Sequence, residues 1–146
     1  HGLAEGIEML HEEGLDNVFA RHDRLAEATR RAIKAWGLEI ICREAKYYSP
    51  TITAVLMPEG HDADAFRALA LDQFNISYGA SFGRFAGKMF RIGHLGDIND
   101  AMLLGGLAAT EMALALANVP HKKGGVQAAM DYLVLQHGRA AKQAAE

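Results

Sequence analysis

Residues 88–96 read Lys-Met-Phe-Arg-Ile-Gly-His-Leu-Gly, an apolar segment with an arginine near its centre. Such a run of apolar residues predicts a β-strand over Lys88–Leu95. Side chains along a strand point alternately to its two faces. One face therefore carries Met89, Arg91 and Gly93, and the opposite face carries Phe90, Ile92 and His94.

Arg91 needs an explanation in this strand, because burying a guanidinium group is costly unless its charge is paired. Gly93 lies on the same face and has no side chain, so the space beside Arg91 is open. An arginine in such a place can hold a carboxylate through two parallel hydrogen bonds. Two simpler interpretations stay open on spacing alone: an ion pair with an acidic residue of the same domain, or an edge-strand arginine in water.

The flanking sequence predicts further elements on both sides of this strand. Apolar and β-branched runs predict strands at Leu38–Cys42 and Thr51–Met57, with Ile76–Tyr78 as a short additional candidate. Counting their terminal glycines and capping residues, the predicted helices cover 1–14, 15–37, 62–73, 98–117 and 126–141. Short connections between strands favour antiparallel pairing. The predicted fold class is α+β, a small, mainly antiparallel or mixed sheet with helices packed on it.

Capping residues and helical spacing predict which ends and faces of these helices are fixed. Asp16 or Asn17 is expected to cap the second helix, Asp62 the third and Asp97 the fourth. The buried stripe expected for the second helix is Val18, Phe19, His22, Leu25, Ala26, Thr29 and Ile33. A small-residue face for close packing on the sheet is expected at Gly105, Gly106, Ala109 and Ala113. The last helix is expected to bury Val126, Met130, Leu133, Val134 and His137, and the last six residues are expected to fray.

Composition limits the classes of function that need to be considered. The chain has 146 residues, enough for one domain with a core of its own, and its 50% hydrophobic content excludes a disordered chain. A net charge of −3 offers no strong field for nucleic acid or an anionic membrane, and no apolar run has the ~20 residues of a spanning helix. The single cysteine, Cys42, excludes an internal disulfide and favours a cytoplasmic location.

Motifs of several common enzyme classes are absent from the sequence. No Gly-x-Gly-x-x-Gly pattern follows a strand, and residues 83–88 are one residue short of a phosphate-binding P-loop. The seven histidines have no metal-ligand spacing, so no metal site is predicted, and His22 and His137 are interpreted as structural. Cys42 lies in an apolar run without an obvious partner and is interpreted as an inert thiol.

The central segment carries a family resemblance. Residues 90–96, Phe-Arg-Ile-Gly-His-Leu-Gly, resemble the Arg-Ile-Gly-His-Leu-Gly signature near the C-terminus of serine–glyoxylate aminotransferases. These enzymes belong, with the alanine–glyoxylate enzymes, to the class V pyridoxal-phosphate aminotransferases. Other segments resemble the same family in the same order, namely residues 12–22, 35–38, 55–60 and 86–88. The resemblance extends over residues 2–120 and does not include the tail.

The resemblance implies a role for the central strand. Residues 1–120 would form the small C-terminal domain of a fold-type-I aminotransferase, and residues 121–146 a linker and a helix. Arg91 would bind the α-carboxylate of the substrate, and Gly93 would leave room for it. The glycine-rich loop 79–87 would lie near the mouth of the active site, or would simply connect strands. His94, on the opposite face, would support the motif rather than take part in catalysis.

The residues that carry cofactor chemistry in this family are not recognised in the chain. A transaminase needs a lysine that forms a Schiff base with pyridoxal 5'-phosphate, a carboxylate at the pyridine nitrogen and a phosphate cup. Lys46, Lys88, Lys122 and Lys123 lie in unsuitable contexts. The chain is therefore expected to hold no catalytic, cofactor-binding or metal-binding residue. With a helical pattern that is already under way at its start, it is interpreted as an inactive piece of a longer enzyme.

For the intact enzyme, the resemblance implies transfer of an amino group from L-serine, or a similar small amino acid, to glyoxylate. The cofactor would be held by a missing N-terminal domain, and the enzyme would work as a homodimer without nucleic acid or membrane partners. The alternative is a freestanding, non-enzymatic α+β module that binds a small ligand or serves assembly. In that case Arg91 would be structural or would bind a different carboxylate.

Overall fold

The computed structural model describes residues 1–143, which form five α-helices and three short β-strands. The helices are α1 (Gly2–Glu13), α2 (Leu15–Trp36), α3 (Ala63–Phe74), α4 (Asp100–Leu116) and α5 (Gly125–Gln143). The strands are β1 (Glu39–Ile40), β2 (Ile52–Leu56) and β3 (Met89–Gly93), and two 3-10 helices cover Ala45–Tyr47 and Gly83–Phe85. None of the helices in this described part combines the length and the apolar character that a membrane crossing needs.

The three strands form one antiparallel sheet in the order β1-β2-β3, so the predicted α+β class is confirmed. Burial alternates along the two longer strands. The face that packs into the core carries Thr53, Val55, Phe90 and Ile92. Helices α2, α3, α4 and α5 supply the rest of that core through residues such as Leu25, Trp36, Phe66, Leu107 and Leu133. The opposite face of the sheet is only partly covered, and it carries Ala54, Met89, Arg91 and Gly93.

An aromatic cluster fixes β3 against the helices. The Phe90 ring lies 4.7 Å from the Phe66 ring of α3 and 5.4 Å from the Tyr78 ring, measured between centroids. The Tyr78 hydroxyl makes a 2.7 Å hydrogen bond with Thr110 Oγ1 on α4. Aromatic pairs of this kind add about 0.5–1.5 kcal/mol beyond the area they bury. The core face of β3 is therefore rigidly held, and this sets the position of the face that carries Arg91.

Two strand predictions need correction. β1 is limited to Glu39–Ile40, and Cys42 lies beyond its end. The short strand predicted at Ile76–Tyr78 does not form, and the segment pairs with the sheet only through an isolated bridge at Gly79. The reason is local, because the Ile76 N–H bonds to the carbonyl of Ala70 at the end of α3 instead of joining a strand ladder.

The capping residue was predicted correctly for α3 and wrongly for α2 and α4. Asp62 caps α3, as predicted, by accepting hydrogen bonds from the N–H groups of residues 64 and 65. α4 is capped by Asn99 rather than Asp97, because the Ile98 N–H bonds to the carbonyl of Gly96 and delays the first helical turn. α2 begins at Leu15 without a side-chain cap, which the capping rule did not predict.

The helix faces also differ in part from their predicted stripes. In α2 the stripe is buried except at Phe19, which is 61% exposed. In α5 the buried positions are Gly125, Ala129 and Leu133, and Val126 is half-buried, whereas Met130, Val134 and His137 are exposed. α4 buries Ala109 and Ala113 but exposes Gly105, and it packs mainly against α3 and α5 rather than on the sheet. α5 runs through Gln143, and the predicted fraying of the last six residues falls partly on 144–146, outside the described residues.

The carboxylate of Glu111 joins the start of helix α5 to helix α2. Glu111 on α4 accepts hydrogen bonds from the Trp36 indole N–H at 2.8 Å and from the backbone N–H groups of Gly124 and Val126. The Lys122 N–H donates to the Trp36 carbonyl at 2.8 Å. The segment that enters α5 is therefore bound to both α2 and α4.

Candidate functional site

Arg91 lies at the middle of β3, on the partly covered face of the sheet. Its partner across β2 is Ala54. On the other side the backbone of Gly79 pairs with it, each N–H donating to the other's carbonyl at 3.0 Å. Both cross-strand neighbours of Arg91 are therefore among the smallest residues, and neither carries a side chain that projects far from the sheet beside the guanidinium group.

The Arg91 guanidinium makes no ion pair or hydrogen bond with any residue in the described range 1–143. Its Nε atom is buried and has no hydrogen-bond partner there. The centre of the guanidinium lies 5.5 Å from the centroid of the Phe82 ring. Of the two simpler interpretations, an ion pair inside the described fold is not formed. A fully solvated edge arginine does not fit either, because Gly79 covers that edge of β3 and buries Nε.

Gly93 lies two residues further along the same face, which places it about 6–7 Å from Arg91 along the strand. It is exposed, and a Cβ atom built on it would meet nothing within 4 Å. The structure thus leaves space on the Arg91 side of the sheet at the position where the sequence predicted it. Arg91 and Gly93 border this space, but these two residues alone do not determine which molecule or chain segment occupies it.

The glycine-rich loop 79–87 is anchored at both ends. Gly79 is bound to β3, and the carbonyl of Gly87 accepts a 2.8 Å hydrogen bond from the Ala63 N–H at the start of α3. Between them, the segment at 83–85 forms a 3-10 turn in which the Ala86 and Lys88 N–H groups bond to nearby carbonyls. Those N–H groups are satisfied within the turn, so the segment does not form a phosphate cradle.

His94 faces away from Arg91, as the alternation of the strand predicted, and its side chain is fully buried. Nε2 lies 2.9 Å from Thr53 Oγ1, and Nδ1 lies 2.9 Å from the carbonyl oxygen of Pro50. Burial lowers the pKa of His94 to about 4, although the Pro50 carbonyl acts in the opposite direction. The imidazole is therefore neutral at pH 7 and joins the end of β3 to the start of β2.

Arg21 and His22 on α2 organise the turn that follows β3, a role that the sequence analysis missed for Arg21. Arg21 binds both carboxylate oxygens of Glu13 at 2.6 Å and donates to the carbonyl of Gly96 at 2.6 Å. His22 contacts the carbonyl of Val18 through Nδ1 and accepts from the Gly96 N–H through Nε2. His22 is structural, as predicted. The sequence feature that could have indicated this role is Glu13, the acidic residue eight positions before Arg21, from which the helix break at Gly14 separates it.

No lysine is enclosed within the described residues 1–143, where all six are exposed. No cluster of three or more potential metal ligands occurs within residues 1–143. A cavity of about 740 Å³ lies between α1, α2 and the turn at 95–97, and neither Arg91 nor Gly93 lines it.

Comparison with known proteins finds relatives that are named as aminotransferases. No family model matches the chain. It is 48% identical to a serine–glyoxylate aminotransferase of Hyphomicrobium methylovorum over 132 residues, which are 90% of this chain and 33% of that enzyme. It is 42% identical to an L-aspartate–glyoxylate aminotransferase of Paracoccus denitrificans in an alignment of 146 positions, which covers 99% of this chain and 37% of that enzyme.

Solved structures agree with these relatives. The ureidoglycine–glyoxylate aminotransferase of Bacillus subtilis superposes with a TM-score of 0.83 at 36% identity, covering 88% of this chain and 34% of that one. The pyridoxamine–pyruvate aminotransferase of Mesorhizobium loti gives a TM-score of 0.82 at 30% identity, covering 88% and 33%. The expectation drawn from the central motif is thereby confirmed. The chain belongs to the family of class V aminotransferases, and it spans about one third of the length of the relatives it matches.

Proposed function

We propose that this chain is the substrate-carboxylate-binding C-terminal part of a pyridoxal-phosphate-dependent aminotransferase. The enzyme would transfer an amino group from L-serine, or a similar small amino acid, to glyoxylate. The names of the relatives support this, since the serine, aspartate and ureidoglycine enzymes all use glyoxylate as the partner substrate. The name of the Hyphomicrobium relative, which specifies serine, supports serine as the amino donor.

The observation that carries the proposal is the unpaired guanidinium of Arg91 on the open face of the sheet. Serine and glyoxylate share a carboxylate next to the carbon at which the amino group is exchanged. One arginine can therefore orient both substrates in turn through a bidentate pair of hydrogen bonds. Gly93 would leave room for the substrate beside Arg91, because its Cβ position opens into free space.

The cofactor would be bound by residues outside this chain. When bound, pyridoxal phosphate supplies the carrier for the amino group and the electron sink for the exchange. The described residues supply neither a buried lysine nor a phosphate cup, so their contribution is to bind and orient the carboxylate. The chain alone is accordingly proposed to be inactive, and the N-terminal cofactor domain is proposed as its partner.

The remaining proposals concern organisation. Residues 1–120 are proposed as the small domain, and 121–146 as a linker and helix, of which the described part, α5 (Gly125–Gln143), packs on α2 and α4. The intact enzyme is proposed to be a homodimer, in line with the family resemblance. A cytoplasmic location is proposed from the single free cysteine, Cys42.

The test is a pair of substitutions in the full-length enzyme. Arg91→Ala should lower kcat/KM for both L-serine and glyoxylate by about 100-fold, since two charge-assisted hydrogen bonds are lost. Arg91→Lys should recover part of this loss, because it restores the charge without the planar fork. Arg31→Ala is the matched control, since Arg31 is an exposed arginine on α2, a helix that packs against the opposite, core face of the sheet.

Two results would contradict the proposal in different ways. Unchanged kcat/KM in Arg91→Ala would remove the role of Arg91 while leaving the aminotransferase assignment in place. A full-length protein that bound no cofactor and transferred no amino group would overturn the assignment itself. A freestanding ligand-binding module would then become the preferred function.

A further inference from the structure

We propose that Gly79 and Phe82 are positioning residues for Arg91, and that together they fix the direction in which its guanidinium meets a substrate carboxylate. The proposal rests on the carboxylate-binding function of Arg91 given above. Gly79 provides the space into which the side chain folds, and Phe82 provides a surface under the guanidinium. Neither residue belongs to the motif around β3.

Gly79 and Arg91 are paired through their backbones. The two residues exchange both backbone hydrogen bonds, so they lie directly opposite each other as a hydrogen-bonded antiparallel pair. Side chains of directly opposed residues in such a pair project to the same face. Any side chain at position 79 would therefore project beside that of Arg91.

A side chain at position 79 would come very close to the side chain of Arg91. A Cβ atom built on Gly79 would lie 3.0 Å from Arg91 Nε, 3.1 Å from its Cβ and 3.4 Å from its Cζ. The first two separations are tighter than ordinary van der Waals contact, so an added methyl group would require the Arg91 side chain to shift by a few tenths of an ångström. Gly79 does not adopt a positive φ, so its backbone conformation is open to other residues. The absence of a side chain is therefore needed for the Arg91 conformation rather than for the turn.

The guanidinium group of Arg91 is oriented with its Nε atom away from solvent. Nε is buried and has no partner within the described residues, so it cannot meet a ligand from solvent. The two terminal nitrogens are the donors that remain free to do so. With Nε covered at Gly79, the guanidinium is presented end-on, and a carboxylate would be held by Nη1 and Nη2.

The ring of Phe82 lies beside the guanidinium group of Arg91. This side chain is 74% exposed, which removes most of the apolar burial that normally fixes a phenylalanine. It nevertheless lies with its ring centroid 5.5 Å from the Arg91 Cζ, within the range of a cation–π contact. Such a contact restrains the rotation of the guanidinium, because the flat group loses the attraction when it turns away from the ring.

The experiment measures carboxylate binding in the full-length holoenzyme. The probe is 3-hydroxypropanoate, which has the carboxylate and hydroxyl groups of serine but no amino group to transfer. Titration calorimetry gives its Kd in the wild type and in Gly79→Ala, Phe82→Leu and Gly105→Ala. Gly105 is the matched control, because it is exposed and its added Cβ would meet nothing within 4 Å.

Gly79→Ala is expected to raise the Kd of the probe about tenfold, and Phe82→Leu about threefold, on the scale of a displaced hydrogen-bond pair and a lost cation–π contact. Gly105→Ala is expected to bind like the wild type. The same variants are then combined with Arg91→Ala, and kcat/KM for L-serine is measured. In that background Gly79→Ala should cost nothing further, since the group it displaces is gone.

Each other result overturns the proposal in a recognisable way. If Gly79→Ala binds the probe like the wild type while Arg91→Ala does not, the positioning role is wrong and the function of Arg91 stands. If Gly79→Ala costs as much with Ala at position 91, it acts independently of Arg91 and the proposal also fails. If Arg91→Ala itself binds the probe normally, the proposed function fails first. Should Gly79→Ala not fold, Phe82→Leu, at an exposed position, carries the same cycle.

Discussion

Thr53 and His94 join neighbouring strands through a buried hydrogen bond, with Thr53 Oγ1 and His94 Nε2 2.9 Å apart. The other ring nitrogen, Nδ1, lies 2.9 Å from the carbonyl oxygen of Pro50. A carbonyl can only accept, so Nδ1 carries the hydrogen of the neutral ring and Nε2 accepts from the threonine hydroxyl. Of the two neutral tautomers, only this one satisfies both nitrogens, and protonation of Nε2 would require the Thr53 hydroxyl to turn and accept.

The first prediction is that stability falls between pH 6.5 and pH 4 because of His94. Burial lowers its pKa from 6.5 to about 4 in the folded protein. Above pH 6.5 the histidine is neutral in both states and costs nothing. As the pH falls, the unfolded chain takes up the proton first, so the folded state loses about 3 kcal/mol by pH 4. Urea unfolding across this range, in the wild type and in His94→Gln, measures the effect.

His94→Gln is destabilised at pH 7 through lost packing, but its stability should fall less steeply with pH than that of the wild type. Equal slopes for the two proteins would show that other groups, and not His94, account for the acid sensitivity. The comparison of slopes separates the titration from the packing loss.

The second prediction concerns the carboxylate of Glu111. Burial raises its pKa, but hydrogen bonds from the Trp36 indole and from the backbone N–H groups at the start of α5 outweigh this and lower it below 4.5. Glu111→Gln keeps an acceptor oxygen and removes the charge at a helix N-terminus. It should lower the free energy of unfolding at pH 7 by about 1–2 kcal/mol. Urea unfolding measures this, with the exposed Glu59→Gln as the control.

The pH range of the Glu111 contribution differs from that of His94. A lowered carboxylate pKa gives stability that is complete above pH 4.5 and is lost as the pH falls through the lower, folded value. The wild type and Glu111→Gln should therefore converge only once the pH has fallen below the lowered, folded-state pKa of Glu111. If the difference between them stays constant down to low pH, the charge of Glu111 makes no contribution.

The pattern of residues around β3 predicted much of the site, because strand alternation is a local property. It placed Arg91 and Gly93 on one face and His94 on the other, and the structure has this arrangement. Gly79 could not be found in this way. Its pairing with Arg91 joins residues twelve positions apart through an irregular loop, and no periodicity in the sequence records such a bridge.

Helix ends and faces show a second limit of sequence reasoning. Asp97 and Asn99 are equally good capping residues by type, and the choice between them depends on a turn made by Gly96. Helical spacing in α5 placed Met130 in the core, but the side chain that meets α2 and α4 there is the smaller Ala129. The selection of a face is a tertiary property, because it depends on the helices that pack against it.

The third prediction uses the contact between Gly125 and Trp36. A Cβ atom on Gly125 would lie 2.2 Å from Trp36 Nε1, and the indole is buried and bonded to Glu111. Gly125→Ala must therefore displace either the indole or the first turn of α5, and should destabilise the protein by about 2–3 kcal/mol. Gly138→Ala is the control in the same helix, since its Cβ would meet nothing within 4 Å.

Gly138→Ala should leave stability unchanged or raise it by up to about 1 kcal/mol, as expected for an exposed helix position. Both values come from thermal or urea unfolding under the same conditions. Similar effects at the two positions would contradict the close packing of α5 on Trp36.

The fourth prediction is that Arg21 holds helix α1 in place. α1 buries none of its residues, so packing alone secures it weakly to the fold. Arg21 grips both carboxylate oxygens of Glu13 at the end of α1 and also bonds to the carbonyl of Gly96. Arg21→Lys keeps the charge but cannot make these three contacts at once, since an ammonium group lacks the planar fork.

Backbone N–H groups in α1 should then exchange with deuterium several-fold faster in Arg21→Lys, while those of α4 keep their wild-type rates. Arg31→Lys is the matched control, because Arg31 is exposed and pairs with Glu27 inside its own helix. The prediction requires the change to appear in α1 and in the turn after β3 together, because a single guanidinium binds both. Faster exchange in α1 alone would mean that the bond to Gly96 contributes nothing, and unchanged exchange in both would mean that α1 is held by contacts other than Arg21.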